Sequence, residues 1–235
     1  MNNPHSSSVM TDPRDYRAGQ LSALDLQSLD VNRVLRNTYA LLAMTLLFSA
    51  AVASAAVWFA LPAPGLILTL VGYFGLLFAI HRLQHSGWAL PAVFGLTGFM
   101  GYTLGPLLTH YLAIPGGAQT VGMALGATGV TFMALSAYAL TSRKDFSFMG
   151  SFLFMGMVIA LLAGLAAMLL EIPALSLAVS AMVALLSAGL ILFETSQIVN
   201  GGERNYVMAT VSLFVSVFNL FTSLLALFGF GGHSE

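Results

Sequence analysis

The chain has no cysteine among its 235 residues, which excludes disulfides, thiolate nucleophiles and cysteine-based metal sites. Charge is almost as scarce. Asp, Glu, Lys and Arg together make up 7%, against roughly a quarter in a soluble globular domain. A net charge of −1 gives no basic face for nucleic acid. The polar opening MNNPHSSSVMTDPRDYRAGQ contains no apolar h-region, so no cleaved signal peptide is expected and the first spanning helix must target the chain. There is no HExxH motif, and His81, His85 and His110 stand at the ends of apolar runs rather than inside them. With no converging histidines and acids, an intramembrane metalloenzyme is not expected. GHSE at 232–235 is a tail and not a nucleophile elbow. The chain is therefore read as not an enzyme.

What is abundant is hydrocarbon: 58% of the residues are hydrophobic. A bilayer core of about 30 Å takes about 20 apolar residues of helix, and backbone polar groups in lipid must be satisfied within the segment. The apolar runs do not alternate as barrel strands would. The fold class is thus all-α and polytopic, with seven spans at 38–61, 63–82, 88–109, 118–140, 147–170, 174–199 and 206–229. The breaks LPAPG, HRLQHSG, HYLAIPGG, TSRKDFS, EIP and NGGERNY carry the proline, glycine and charge that stop helices. Residues 1–37 form a polar N-terminal tail, 38–229 the transmembrane domain and 230–235 a short C-terminal tail.

The cations orient the bundle. Arg14, Arg17, Arg33, Arg36, Arg82, Arg143, Lys144 and Arg204 are the only Lys and Arg residues. Seven spans place them all on one face, and removing any span would send the later ones across. The positive-inside rule makes that face cytoplasmic and the C-terminus periplasmic. Trp58 and Trp88, near span ends, read as interfacial anchors, and Tyr102 as bundle packing. Gly95, Gly98, Gly101 and Gly105, and again Gly122, Gly126 and Gly129, read as small faces for close helix approach.

One carboxylate interrupts the sixth run. Glu194 lies about 30 Å along a helix that starts at 174, at about 1.5 Å per residue, so depth alone reads it as an interfacial acid reaching water. Two stripes point inward instead. Ser180, Ser187 and Glu194 recur every seven residues, with Gln197 three further on, and Ser212, Ser216, Asn219 and Ser223 share one face of the seventh span. Polar stripes on membrane helices face protein or water. The second stripe is either interhelical hydrogen-bond glue or the lining of a cavity that hydrates Glu194, and both put span 7 centrally. His81, Arg82 and Arg204, on the same face, are the candidate cationic partners of Glu194, and Glu194 is the only candidate metal ligand.

Four stretches, GLTGFMGYTLGPLL (95–108), YALTSRKDFSFMGSFL (138–153), FETSQIVNGGERNY (193–206) and LFVSVFNLF (213–221), together resemble the signatures of the Bax inhibitor-1 family. The likeness covers nearly all seven spans. Within the family they are most similar to the proteobacterial inner-membrane YccA-like branch, modulators of the AAA protease FtsH. The resemblance implies a seven-helix bundle with helix 7 surrounded by the other six. It also implies a proton-sensitive calcium leak in characterised members, built on an acid of helix 6 paired with an acid of helix 7 and a basic partner at the inner end of helix 2. Glu194 matches the first acid; His81 and Arg82 lie near the basic position. At the second acid's place this chain has Ser216. A lone carboxylate lacks the coupled titration of a pair and offers calcium little charge, so Glu194 reads as a structural latch. The expected function is regulation of FtsH-type proteolysis in the inner membrane, with FtsH as partner and no cofactor. The alternative is a pH-sensitive calcium or ion leak.

Overall fold

The computed structural model describes residues 13–231, and their side chains over 31–230. The N-terminal part of the polar tail (1–12) and the C-terminal residues 232–235 lie outside the described residues. Among these the chain is helical throughout, without strands: α1 (Pro13–Trp58), α2 (Leu66–Leu83), α3 (Ala89–Leu112), α4 (Gly117–Ser142), a 3₁₀ turn (Ser147–Met149), α5 (Gly150–Leu169), α6 (Pro173–Val199) and α7 (Tyr206–Gly231). All seven α-helices are long and apolar enough to cross a membrane; in α1 the apolar part is Val31–Trp58. Helix α1 starts at Pro13, so residues 13–37 are a continuous helical extension of the first span. Helix α2 starts at Leu66 rather than at 63, because Pro62 and Pro64 remove donors and bias the residues before them away from helix.

The chain reverses at left-handed residues: Gly116 (φ 76°), Arg143 (φ 48°), Glu171 (φ 53°) and Gly201 (φ 75°). Asn205 starts α7, its Oδ1 accepting from the Val207 N–H at 2.9 Å.

In lipid, helix association rests on close packing rather than on the hydrophobic effect. The first glycine set supplies it. Gly98 lies against Phe48, Gly101 against the Ser49 carbonyl and Gly105 against Ala56, so a Cβ at any of the three would collide with α1. The second set does not pack in this way. Gly122, Gly126 and Gly129 are exposed and have no neighbour within 4 Å of a built Cβ, because α4 turns Ala124 and Thr128 inward instead. Their reading as a close-packing face within the bundle is corrected.

Helix α7 is the most deeply buried of the seven. It packs on α1, α3, α4 and α6, while α2 packs chiefly on α3 and α5 on α6. Its Leu213, Phe214 and Val211 join Leu42, Ile80, Val93 and Leu96 in one core cluster, and Val217 and Leu220 join Ala184 and Ile191 in another. The central position expected for helix 7 is observed, with four helices as its main neighbours and α2 and α5 outside them.

Candidate functional site

Glu194 sits five residues before the last residue of α6, Val199, on the side of α6 that meets α7. Ser216 faces it. The Ser216 hydroxyl lies 3.1 Å from Glu194 Oε1 and 3.0 Å from Oε2, so its single proton is shared between both carboxylate oxygens. Ser216 is buried and Glu194 partly so. Buried Ile191 and Val217 border the pair.

The other expected residues are placed differently. His81, Arg82 and Arg204 are exposed at helix ends and in the α6–α7 turn, and Arg204 Nε donates to the Gly201 carbonyl at 3.4 Å. Among the described residues, Ser216 is the recorded partner of Glu194 and no cation acts on it. The reason is depth: Glu194 is more than a turn inside the helix end and aims at α7. Along the α7 stripe, Ser223 is buried and Ser212 and Asn219 are half-buried, but only Ser216 makes an interhelical bond. On α6, Ser180 donates to the Ser176 carbonyl of its own helix, and Ser187 is fully buried with its Oγ unpartnered. Trp58 and Trp88 are exposed; Tyr102 donates to the Pro62 carbonyl at 2.6 Å and so ties the α1–α2 turn to α3.

Below Glu194 the structure adds a strap. Ser196 Oγ donates to the Lys144 carbonyl at 2.9 Å and accepts from the Phe146 N–H at 3.2 Å. Asn200 Nδ2 reaches the same carbonyl at 3.2 Å, and Gln197 Nε2 donates to Ser147 Oγ at 3.0 Å. Thr195 meets Ser136 of α4 at 3.5 Å. Asp145 accepts from the Ser147 hydroxyl and from its N–H, the latter at 2.8 Å, and these bonds hold its carboxyl below the usual range. The motifs TSRKDFS and FETSQIVN are therefore two halves of one device. Sequence reasoning missed it, although the run of Thr195, Ser196, Gln197 and Asn200 at the end of an apolar helix was the available signal.

As a donor set, Glu194 and Ser216 supply one carboxylate and one hydroxyl, short of the about 6–8 oxygens that calcium takes. Among the described residues no group of three or more His, Asp or Glu gathers.

Comparison with known proteins gives a consistent result. The family model described as "Inhibitor of apoptosis-promoting Bax1" matches residues 31–233. A protein of Escherichia coli K12 named "Modulator of FtsH protease YccA" is 50% identical over 202 residues, 86% of this chain and 92% of the relative. A protein of E. coli O6:H1 named "Inner membrane protein YccA" matches to the same extent. An uncharacterised protein of Pseudomonas aeruginosa is 47% identical over 216 residues, 92% of this chain and 97% of the relative.

Proposed function

The chain belongs to the family of inhibitors of apoptosis-promoting Bax1, and on that premise we propose that it is an inner-membrane regulatory protein that binds and modulates FtsH-type quality-control proteolysis. The observation that carries this reading is the 50% identity, across 86% of the chain, to a relative named for that activity. A second relative named for the inner membrane supports the location. All Lys and Arg on one face supports a cytoplasmic N-terminus and a periplasmic C-terminus. Reporters fused after Lys144 and at the C-terminus are expected to read cytoplasmic and periplasmic respectively.

The physics of such modulation follows from the bundle. A membrane protease that pulls on this chain must draw spans of about 20 apolar residues out of hydrocarbon, which is costly for each one. On the cation-bearing face it must also break the strap between α6 and the α4–α5 loop. The polar segment 1–30 is the long stretch outside the spans that such a protease can grip. A chain that can be gripped but is slow to extract occupies the protease and spares other substrates. The test is copurification: affinity-tagged protein solubilised in mild detergent is expected to retain FtsH, and a tagged seven-span protein of another family is not. Equal, background recovery with both would end this reading.

A second reading, a pH-sensitive calcium or ion leak, is favoured by Glu194 lying between helices rather than at the surface. Ser216 is the feature against it. Calcium entry into proteoliposomes is expected to be low for the natural chain and to rise in Ser216→Asp, which supplies the second anionic ligand. Strong entry through the natural chain would favour the leak.

A further inference from the structure

Hydroxyls inside the spans of this chain commonly fold back onto their own helix. Thr45 donates to the Leu42 carbonyl, Ser54 to that of Ala50, Thr128 to that of Ala124 and Ser180 to that of Ser176. Such a bond spares the hydroxyl from standing unpaired in hydrocarbon. Ser187 does not make one. It is 0% exposed, and its Oγ meets neither a carbonyl of α6 nor a group of another helix. Ser223 of α7, 6% exposed, makes no side-chain hydrogen bond among the described residues. The same holds for the amide of half-buried Asn219. A buried hydroxyl left unpaired is costly, so one that turns from its own carbonyl calls for another partner.

The apolar neighbours of Ser187 show what stands opposite it. Ala184 and Ile191 lie three residues before and four after it, on the same face of α6. Both belong to one buried cluster with Val217 and Leu220 of α7, and Leu224 and Leu227 pack against that cluster. The stretch of α7 that meets this part of α6 is therefore 217–227. Of its polar side chains, Thr222 is committed to the Phe218 and Asn219 carbonyls, which leaves Asn219 and Ser223. The Glu194–Ser216 bond gives the same antiparallel register: seven residues back along α6 from Glu194 is Ser187, and seven on along α7 from Ser216 is Ser223. No direct bond joins Ser187 to either α7 side chain. A guest that fits this seam must be small, and must both donate and accept. Two hydroxyls and an amide carry no charge for a cation, and they match the about 2–4 polar partners that a buried water takes.

We propose that the α6–α7 seam is a binding site for a buried water, held by Ser187 Oγ together with Ser223 Oγ and the Asn219 amide. The water joins the two helices where no side chain reaches across, and it carries the polar line of Glu194 and Ser216 towards the middle of the bilayer. Radiolytic hydroxyl labelling of the full chain in nanodiscs tests this, because radicals formed from a bound water attack the side chains beside it. Leu220 should be labelled well above Leu153, which is equally buried at 3% but lies in the apolar α5–α6 seam. Ser187→Ala should bring the labelling of Leu220 down to that of Leu153. Ser187→Ala and Ser223→Ala should each lower the melting temperature by about 2–4 °C. The double variant should lower it by little more than either alone, since both lose the same water. The proposal is overturned if Leu220 is labelled no more than Leu153, or if Ser187→Ala leaves its labelling unchanged. It is equally overturned if the two melting shifts add, as they would if each hydroxyl served its own helix.

Discussion

The two ends of the bundle are built by different means. At the end without Lys or Arg the turns are made by backbone: Ala60, Gly116 and Glu171 adopt positive φ, and among the described residues Tyr102 to Pro62 is the long-range side-chain bond there. At the cation-bearing end the turns are tied to one another. Ser196, Gln197 and Asn200 hold the α4–α5 loop, Asn205 holds the end of α2, and Glu194 with Ser216 joins α6 to α7 just above them. One end of the bundle closes; the other is fastened. The difference puts the one acid within a described span and the Lys and Arg of the loops between helices on one side.

The strongest way to break this comparison is to undo the strap. Ser196→Ala removes one of two donors to the Lys144 carbonyl, which keeps Asn200, and the acceptor of the Phe146 N–H, and should cost about 2 kcal/mol, since the Phe146 N–H is left unpaired. Thermal unfolding in nanodiscs measures it, and a loss under about 0.5 kcal/mol would show that the strap is ornamental. Next is Ser216→Ala, which strips the recorded partner from Glu194 and should cost about 2 kcal/mol; Glu194→Gln, which leaves Ser216 a neutral acceptor, should cost less than that. If Gln is the worse of the two, the hydroxyl does not hold the carboxylate. The matching change at the other end, Tyr102→Phe, removes one exposed bond to a turn carbonyl and should cost at most about 1 kcal/mol. A larger loss there than in Ser196→Ala would invert the comparison.

The smallest effect is a pH dependence. The Ser147 bonds hold the Asp145 carboxyl below the usual carboxylate range, so its contribution is present above that range and is lost as pH falls through the lower, folded value. Asp145→Asn should therefore lose a slight acid-side dip in melting temperature below about pH 4 and leave the curve at neutral pH in place. An unchanged acid limb in the variant would remove Asp145 from the account.

Most of the fold was legible because a membrane span has a strong one-dimensional signature: the length of its apolar run. The expected end of span 6 at 199 and start of span 7 at 206 coincide with those of α6 and α7. The start of α2 moved where proline set it and the start of α1 where a polar stretch continued as helix beyond the hydrocarbon, while the ends of α1 and α3 moved to Trp58 and Leu112 from the expected 61 and 109. The two stripes, each read along its own helix, meet at Glu194 and Ser216. Neighbours across helices were less legible. Spacing places Glu194 on a face but does not say that α7 rather than the end of α2 stands opposite, so Arg82, His81 and Arg204 were plausible partners from depth alone. The outward face of Gly122, Gly126 and Gly129 was unreadable for the same reason, since a small stripe looks alike whether a helix or lipid lies against it.

The measurement that bears most directly on the proposed role is the degradation rate of a second membrane substrate by purified FtsH in proteoliposomes, with and without this protein at equal density. The account predicts that the second substrate lives longer when the chain is present, that the chain itself is degraded more slowly than that substrate, and that Ser196→Ala, with its strap undone, is degraded faster and protects less. Unchanged lifetime of the second substrate over a range of densities, with FtsH active on it throughout, would contradict modulation of the protease.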